Sequence, residues 1–148
     1  MNQLIGGCLC QKVRYKVSSP PMSQGICYCH QCQKSGGAYG SPLMVLHKDT
    51  FECFEAELSS CKTQSDRGST VIRNFCKECG SHILSRISDV PEIVTVKAAT
   101  LDDFSLFIPE YLVWIQSAGP SCMFPMGVPS FPKNAPVEIL LGCARGEI

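Results

Sequence analysis

The sequence predicts a mainly β fold built from short strands. The chain of 148 residues is 45% hydrophobic and contains Gly 12 and Pro 10, a turn-rich composition typical of short strands and not of long helices. Several short apolar runs alternate with polar residues at the period of a half-buried strand. We expect one domain over residues 1–148, because a chain of this length buries roughly 68–70% of its unfolded surface.

The first predicted strand covers residues 13–17, which alternate apolar and basic side chains. Cys8 and Cys10 lie in the turn that leads into this strand, directly after Gly6 and Gly7. Glycine lets the backbone bend sharply, so both sulfurs can face one point. The N-terminal segment therefore presents a C-x-C pair at the start of the sheet.

The remaining segments of the chain are also predicted to be short strands separated by turns and loops. Further strands are predicted at residues 43–46, 51–54, 58–63, 71–75, 83–87, 93–98, 112–115 and 137–141. Turns are predicted at 36–42 and 65–69, and a Pro/Gly-rich loop at 119–136. Residues 100–103 are predicted to form a turn or the start of a one-turn helix, capped by Thr100 or Asp102.

The charge balance argues against two classes of partner. Lys+Arg 13 equal Asp+Glu 13, so no overall field attracts nucleic acid or an anionic membrane. No apolar stretch approaches the roughly 20 residues that span a bilayer, and the N-terminus lacks a secretory pattern. We expect a cytoplasmic protein, in which clustered cysteines are more often ligands or catalytic groups than disulfides. The sequence predicts no oligomeric state.

The 11 cysteines divide into two kinds. Four stand alone in the sequence and are predicted to be small buried apolar residues: Cys53, Cys61, Cys122 and Cys143. Seven fall in tight motifs, namely C-x-C at Cys8 and Cys10, C-x-C-x-x-C at Cys27, Cys29 and Cys32, and C-x-x-C at Cys76 and Cys79. Thiolate sulfur selects zinc, copper(I) or iron–sulfur clusters, so these motifs predict metal binding.

The spacing favours two zinc sites per chain. Cys8 and Cys10 together with Cys76 and Cys79 would complete a tetrahedron between distant loops, as in structural zinc sites. The motif at residues 27–32, which is predicted to be a loop, then has three sulfurs and one open position, the usual form of a catalytic zinc.

Other partitions stay open. Cys53, Cys61 or His30 could supply a fourth ligand, and an iron–sulfur cluster could use four of the seven cysteines. Cys76 and Cys79 could form a redox pair, although no thioredoxin-like βαβ pattern surrounds them.

A zinc ion with three thiolates carries a net charge of about −1 and favours one more soft donor. It would lower the pKa of an incoming thiol, which suits a small cysteine-containing molecule better than water. The candidate partners for the carboxylates of such a ligand are Arg14, Lys34, Arg67 and Arg73.

These motifs resemble the glutathione-dependent formaldehyde-activating enzyme family, which also contains the centromere protein V group. The resemblance covers most of the chain and rests on four segments: Gly7, Cys8 and Cys10 with Val13-Arg14-Tyr15; Cys27, Cys29, Cys32 and Lys34 with Gly37; Arg73, Phe75, Cys76, Cys79 and Gly80; and Leu101-Asp102-Asp103. The chain departs from the family at Tyr28, where His or Asn is common, at Gln33, where Arg is common, and at Leu112, where His is usual.

The resemblance implies an Mss4-like, zinc-stapled β-sheet fold with short helical turns. It implies a structural zinc on Cys8, Cys10, Cys76 and Cys79, and a second, catalytic zinc on Cys27, Cys29 and Cys32. The implied activity is condensation of formaldehyde with glutathione to S-(hydroxymethyl)glutathione, formally a carbon–sulfur lyase reaction run in reverse. The alternative is a non-catalytic, zinc-stapled module that binds a protein or a small thiol.

Overall fold

The structure is a computed structural model that describes residues 3–53 and 57–143. The strands are β1 (Leu4–Gly7), β2 (Arg14–Val17), β3 (Ser23–Cys27), β4 (Ser41–His47), β5 (Phe51–Cys53), β6 (Leu58–Gln64), β7 (Thr70–Cys76), β8 (His82–Ile87), β9 (Ile93–Lys97) and β10 (Tyr111–Val113), and the helices are α1 (His30–Gly36) and α2 (Val137–Leu140). This confirms the predicted mainly β fold with short helices.

The strands form two sheets. The smaller sheet has the order β1-β2-β5, and the larger sheet has the order β10-β3-β4-β9-β8-β7-β6. Neighbouring strands are antiparallel, except that β10 pairs in parallel with β3. The C-terminal half of the chain therefore returns to extend the sheet beside the strand that carries Cys27.

Most predicted strands lie within two residues of the observed ones, and Phe54, the last residue of one prediction, falls outside the described residues. The sequence did not predict β1, β3 or α1. The strand predicted at 137–141 is wrong, because residues 137–140 form α2, and the carbonyl of its N-cap residue Pro136 accepts the N–H groups of Ile139 and Leu140. A short apolar run cannot be assigned to strand or helix by periodicity alone.

The turn predicted at residues 100–103 forms between two short 3₁₀ helices, Ala98–Thr100 and Phe104–Leu106. Its cap differs from the prediction. Asp103 caps the second 3₁₀ helix, since its carboxylate accepts the N–H of Ser105 at 3.0 Å. Asp102, predicted as a cap, instead forms an ion pair with Arg14.

Apolar residues cover both faces of the larger sheet. Met44 and Leu46 of β4 belong to a buried cluster with Tyr15 and Val17 of the smaller sheet. Successive side chains of a strand point to opposite faces, and the intervening side of β4 contributes Leu43 to a second cluster, which contains Cys27, Tyr111 and Ala135. The smaller sheet thus packs on one face, and the C-terminal segment packs on the other.

The contact between β3 and β10 depends on a glycine. Gly25 pairs with Tyr111, and a Cβ atom added to Gly25 would lie 2.1 Å from Cε2 of the tyrosine ring. The ring is buried, and its hydroxyl lies 3.1 Å from the Ser23 hydroxyl. Gly25 is therefore required by the close approach of this ring.

We expect Gly25→Ala to lower the free energy of unfolding by about 1–3 kcal/mol, because the buried ring must move away from β3. The measurement is urea denaturation followed by circular dichroism. Gly119→Ala is the matched control: its added Cβ meets no heavy atom within 4 Å, so its effect should stay within about 0.5 kcal/mol. Equal stability of the two variants would contradict the assignment.

Within the described ranges, no helix has the length and apolar character needed to cross a membrane.

Candidate metal centres and the cavity between them

Four of the clustered cysteines converge between the two sheets. The Sγ atoms of Cys8, Cys10, Cys76 and Cys79 all lie within 4.8 Å of one another. The Cys8 and Cys10 sulfurs are 3.5 Å apart, and those of Cys10 and Cys76 are 3.8 Å apart. Four sulfurs placed about 2.3 Å from a tetrahedral zinc are separated by about 3.8 Å. The donor set and its spacing therefore fit a closed metal site.

Backbone amides and a hydroxyl hold these sulfurs in place. The N–H of Val13 donates to Cys8 Sγ at 3.2 Å, and the Ser81 hydroxyl lies 3.2 Å from Cys79 Sγ. The Ser81 hydroxyl, followed by the backbone amides of Ser81 and Cys10, lowers the pKa of Cys79 to about 5. Gly80, with φ of 74°, provides the left-handed turn after Cys79. These interactions favour the thiolate form that a metal requires.

The other three clustered cysteines lie on the opposite side of the larger sheet. Cys27 ends β3, Cys29 caps the N-terminus of α1, and Cys32 lies in the first turn of that helix. The N–H of Cys32 donates to Cys29 Sγ at 3.3 Å, so the cysteine sulfur acts as the helix cap. The three Sγ atoms lie within 4.8 Å of one another. A segment predicted as a loop is therefore a strand end followed by a helix.

The second group contains three donors and no more. Across residues 3–53 and 57–143, no further Cys, His, Asp or Glu donor atom joins it. His30 is exposed at the start of α1, Cys53 packs beside the core between the sheets, and Cys61 is exposed on β6. None of these three supplies a fourth ligand. Soft donors in this number fit a metal with one coordination position left for another ligand.

The protons of the second group are shared. Hydrogen bonds from Cys27 and Cys32 lower the pKa of Cys29, while the adjacent Cys29 and Cys32 sulfurs, together with burial, raise the pKa of Cys27. One thiolate is thus stabilised by two thiols. Metal binding must displace the remaining protons, so metal affinity at this group falls as pH falls.

None of the four isolated cysteines is fully buried, so the prediction that they are buried is wrong. Cys61 and Cys143 are exposed, and Cys53 and Cys122 are half-buried. Cys61 is exposed because β6 is the last strand of the larger sheet and five of its seven residues face solvent.

The predicted carboxylate partners lie in different places. Arg14 is on the smaller sheet, where it donates to the Asp102 carboxylate at 2.9 Å and to Gln11 at 2.7 Å. That ion pair lowers the pKa of Asp102, and it places Arg14 away from the three-cysteine group. Lys34 and Arg67 are exposed, on α1 and in the turn after β6 respectively.

Arg73 lies closer to the three-cysteine group. It is buried on β7 and donates to Gln31 Oε1 at 2.8 Å and to the Thr63 hydroxyl. Gln31 belongs to α1, between Cys29 and Cys32. Arg73 therefore connects the sheet to the helix that carries two of the three cysteines.

Lys97 is a further residue near this group that the sequence did not predict to belong to the site. It is directly opposite Leu43 in the pairing of β9 with β4, so it lies on the sheet face that carries the three-cysteine group. Lys97 is only 6% exposed, and its Nζ donates to the Ser41 hydroxyl at 2.6 Å. Burial lowers its pKa, whereas the nearby sulfurs of Cys32 and Cys27 act in the opposite direction.

A cavity of about 360 Å³ extends from Cys79 of the four-cysteine group to Lys97, which lies near the sulfurs of the three-cysteine group. One wall is the connection from α1 to β4, and the other is the turn at Cys79 and Gly80. Ser41, His82 and Lys97 line it as well. Burial, followed by the charge of Lys97, lowers the pKa of His82 to about 4, so this ring is neutral at pH 7. The positive charge that lines the cavity thus belongs to Lys97.

Comparison with known proteins gives consistent matches. The family model described as glutathione-dependent formaldehyde-activating enzyme matches residues 3–117. A Halomonas elongata protein named for glutathione-dependent formaldehyde activation is 33% identical over 109 residues, which cover 67% of this chain and 66% of that protein. The match thus spans slightly less than two thirds of the relative's length.

A crystal structure of a Rhodobacter sphaeroides protein is similar with a TM-score of 0.51 and 19% identity. The similarity covers 66% of this chain and 87% of that one, and it supports the fold alone. The family match includes all seven clustered cysteines, which lie between residues 8 and 79. The chain therefore belongs to the glutathione-dependent formaldehyde-activating enzyme family.

Proposed function

We propose that this protein is a zinc-dependent enzyme of the carbon–sulfur lyase type, which joins formaldehyde to the thiol of glutathione or a related molecule. The observation that carries the proposal is the group of Cys27, Cys29 and Cys32, which has three soft donors, no fourth donor in the described part of the chain, and a buried cation nearby. Membership of the family supports the choice of glutathione and formaldehyde.

In this proposal each cysteine group has a separate task. Cys8, Cys10, Cys76 and Cys79 hold a structural zinc, since four thiolates leave no position for a substrate. The three-cysteine group holds the second zinc. A zinc ion bound there lowers the pKa of an incoming thiol, so that the sulfur is nucleophilic at neutral pH.

The reaction needs few groups besides a positioned thiolate. The sulfur lone pair forms a bond to the carbonyl carbon of formaldehyde, the C=O π electrons move to oxygen, and the oxygen takes up a proton equivalent to the one lost by the thiol. Holding both reactants at one place supplies much of the acceleration. The reverse sequence breaks the carbon–sulfur bond and releases formaldehyde.

The side chains around the group keep it rigid and balance its charge. Gln33 donates to the backbone carbonyls of Tyr28 at 2.6 Å and Ser117 at 2.9 Å, which ties α1 to the chain after β10. Lys97 places a positive charge near thiolates that would otherwise repel an anionic thiol. Gln33 is therefore a positioning residue, and Lys97 is an electrostatic one.

Exchange NMR tests the reaction directly. We expect the protein to increase the rate of exchange between free glutathione and its hydroxymethyl adduct in the presence of formaldehyde. The spontaneous rate in the same buffer is the baseline, and protein treated with a chelator is the control. A rate equal to the spontaneous one would exclude this activity and would favour the alternative, a zinc-stapled module that binds a thiol without chemistry.

A further inference from the structure

The cavity between the cysteine groups contains a buried cation, Lys97, that has no carboxylate partner in the part of the chain that the structure describes. Five ion pairs join described residues, and none of them involves Lys97 or Arg73. Within residues 3–53 and 57–143, the one hydrogen bond that Lys97 donates goes to a neutral hydroxyl, that of Ser41. Burying an ammonium group is costly unless it is paired, and among the described residues only the nearby cysteine sulfurs of the three-cysteine group offset the charge of Lys97.

The surroundings of Lys97 increase its preference for an anion. The charge of Arg73 lies close enough to lower the pKa of both Lys97 and His82. Arg73 also donates to neutral oxygens, on Gln31 and Thr63. With a zinc ion bound, the three thiolates would keep a net charge of about −1, which offsets only one of the two cationic side chains, Lys97 and Arg73. A net positive charge then remains on the face that contains the cavity.

The geometry leaves hydrogen-bond donors available in the cavity. An ammonium group has three donors, and one of those of Lys97 is used by Ser41. Ser41 accepts that bond through its oxygen, so its own hydroxyl hydrogen can be donated. Both side chains line the cavity and both are more than nine-tenths buried. Two preorganised donors in a buried position suit a carboxylate.

We infer that the cavity is the subsite for a carboxylate group of the thiol substrate, with Lys97 and Ser41 as its hydrogen-bond donors. This inference rests on the proposed function and specifies its substrate class: anionic thiols such as peptides with a free carboxylate, in preference to neutral thiols of similar size. A cavity of about 360 Å³ accommodates one end of such a molecule, and Lys97, which lines it, also lies near the sulfurs of Cys32 and Cys27.

The test uses a ligand that cannot react. S-methylglutathione keeps both carboxylates but has no free thiol, and its dimethyl ester lacks the carboxylate charges. Isothermal titration calorimetry of the zinc-loaded protein compares the two ligands. We expect the free acid to bind about tenfold more tightly or better, and we expect Lys97→Met to remove most of this preference.

Three further variants complete the design. Lys97→Arg should retain most of the preference because it keeps the charge, and Ser41→Ala should reduce it by a smaller factor. Ser41→Ala also provides a reading if Lys97→Met does not fold. Lys62→Met, at an exposed position on β6, is the control and should match the parent.

Two results would overturn the inference: no preference for the free acid in the parent, including no binding of either ligand, or an unchanged preference in both Lys97→Met and Ser41→Ala. Neither result depends on catalysis, because S-methylglutathione cannot form the adduct. Failure of the proposed lyase activity would be seen separately in the exchange measurement, which uses glutathione itself.

Discussion

Cys76→Ser should abolish the native fold, because it removes one of four ligands from the closed cysteine group between the two sheets. Cys76 is completely buried and ends β7. Structural zinc contributes about 10–16 kcal/mol of apparent binding free energy, whereas a protein of this kind has a net stability of about 5–15 kcal/mol. Losing most of the metal contribution therefore exceeds the stability available. The measurements are thermal unfolding by circular dichroism and the zinc content per chain.

The control for this prediction separates metal loss from the burial of a hydroxyl group. Cys53→Ser makes the same atomic change at a half-buried residue that packs beside the same core but lies outside both cysteine groups. We expect it to keep its zinc and to lose about 1–2 kcal/mol. A Cys76→Ser protein that melts at the parent temperature with unchanged zinc content would show that this group does not hold the fold together.

Cys29→Ser should have the opposite profile: a folded protein with one zinc fewer and an exchange rate no higher than the spontaneous one. We expect this variant to fold, because Cys29 caps α1 through its sulfur and serine is among the best N-cap residues. The substitution thus removes a soft metal ligand while it keeps the helix cap. Zinc content, thermal unfolding and exchange NMR on the same preparation give the three readings.

Cys29→Ala distinguishes the two functions of this residue. It removes both the ligand and the cap, so its zinc content and exchange rate should equal those of Cys29→Ser, while its free energy of unfolding should be lower by about 0.5–2 kcal/mol. A serine variant that still accelerates exchange would contradict the assignment of the reaction to the three-cysteine group. A serine variant that unfolds would assign that group a structural task instead.

The sequence predicted most strands because their patterns are local. Residues 13–17 alternate in the period of a half-buried strand, and β2 follows that pattern. The segment at 23–27 gives no such signal, since Gly25 interrupts it, and it is a strand because it pairs with β4 on one side and with the distant β10 on the other, where Tyr111 packs over that glycine. Likewise, the sequence predicted a loop in place of α1. This seven-residue helix has no buried residue, so its segment shows the cysteine motif but no apolar period of a helix.

The candidate site was predictable as far as its sulfurs, since motif spacing alone groups the seven cysteines. The burial of Lys97 in this site could not be predicted from the sequence, for a physical reason. Lys97 alternates out of phase with Val94 and Val96, which predicts a solvent-exposed position on a sheet with one wet face. The second cluster of apolar residues covers that face, so the lysine is buried. Only the tertiary arrangement reveals this.

The four-cysteine group also has a consequence for synthesis of the chain. Cys10 and Cys76 are 66 residues apart, and a ribosome adds about 5–20 residues per second, so the second half of the group is made roughly 3–13 s after the first. During that interval the four-cysteine group lacks two of its four ligands, and Cys8 and Cys10 are exposed to the surrounding solution as unliganded thiols. Oxidants and competing metal ions have their best access to the protein at this stage, before the two sheets come together.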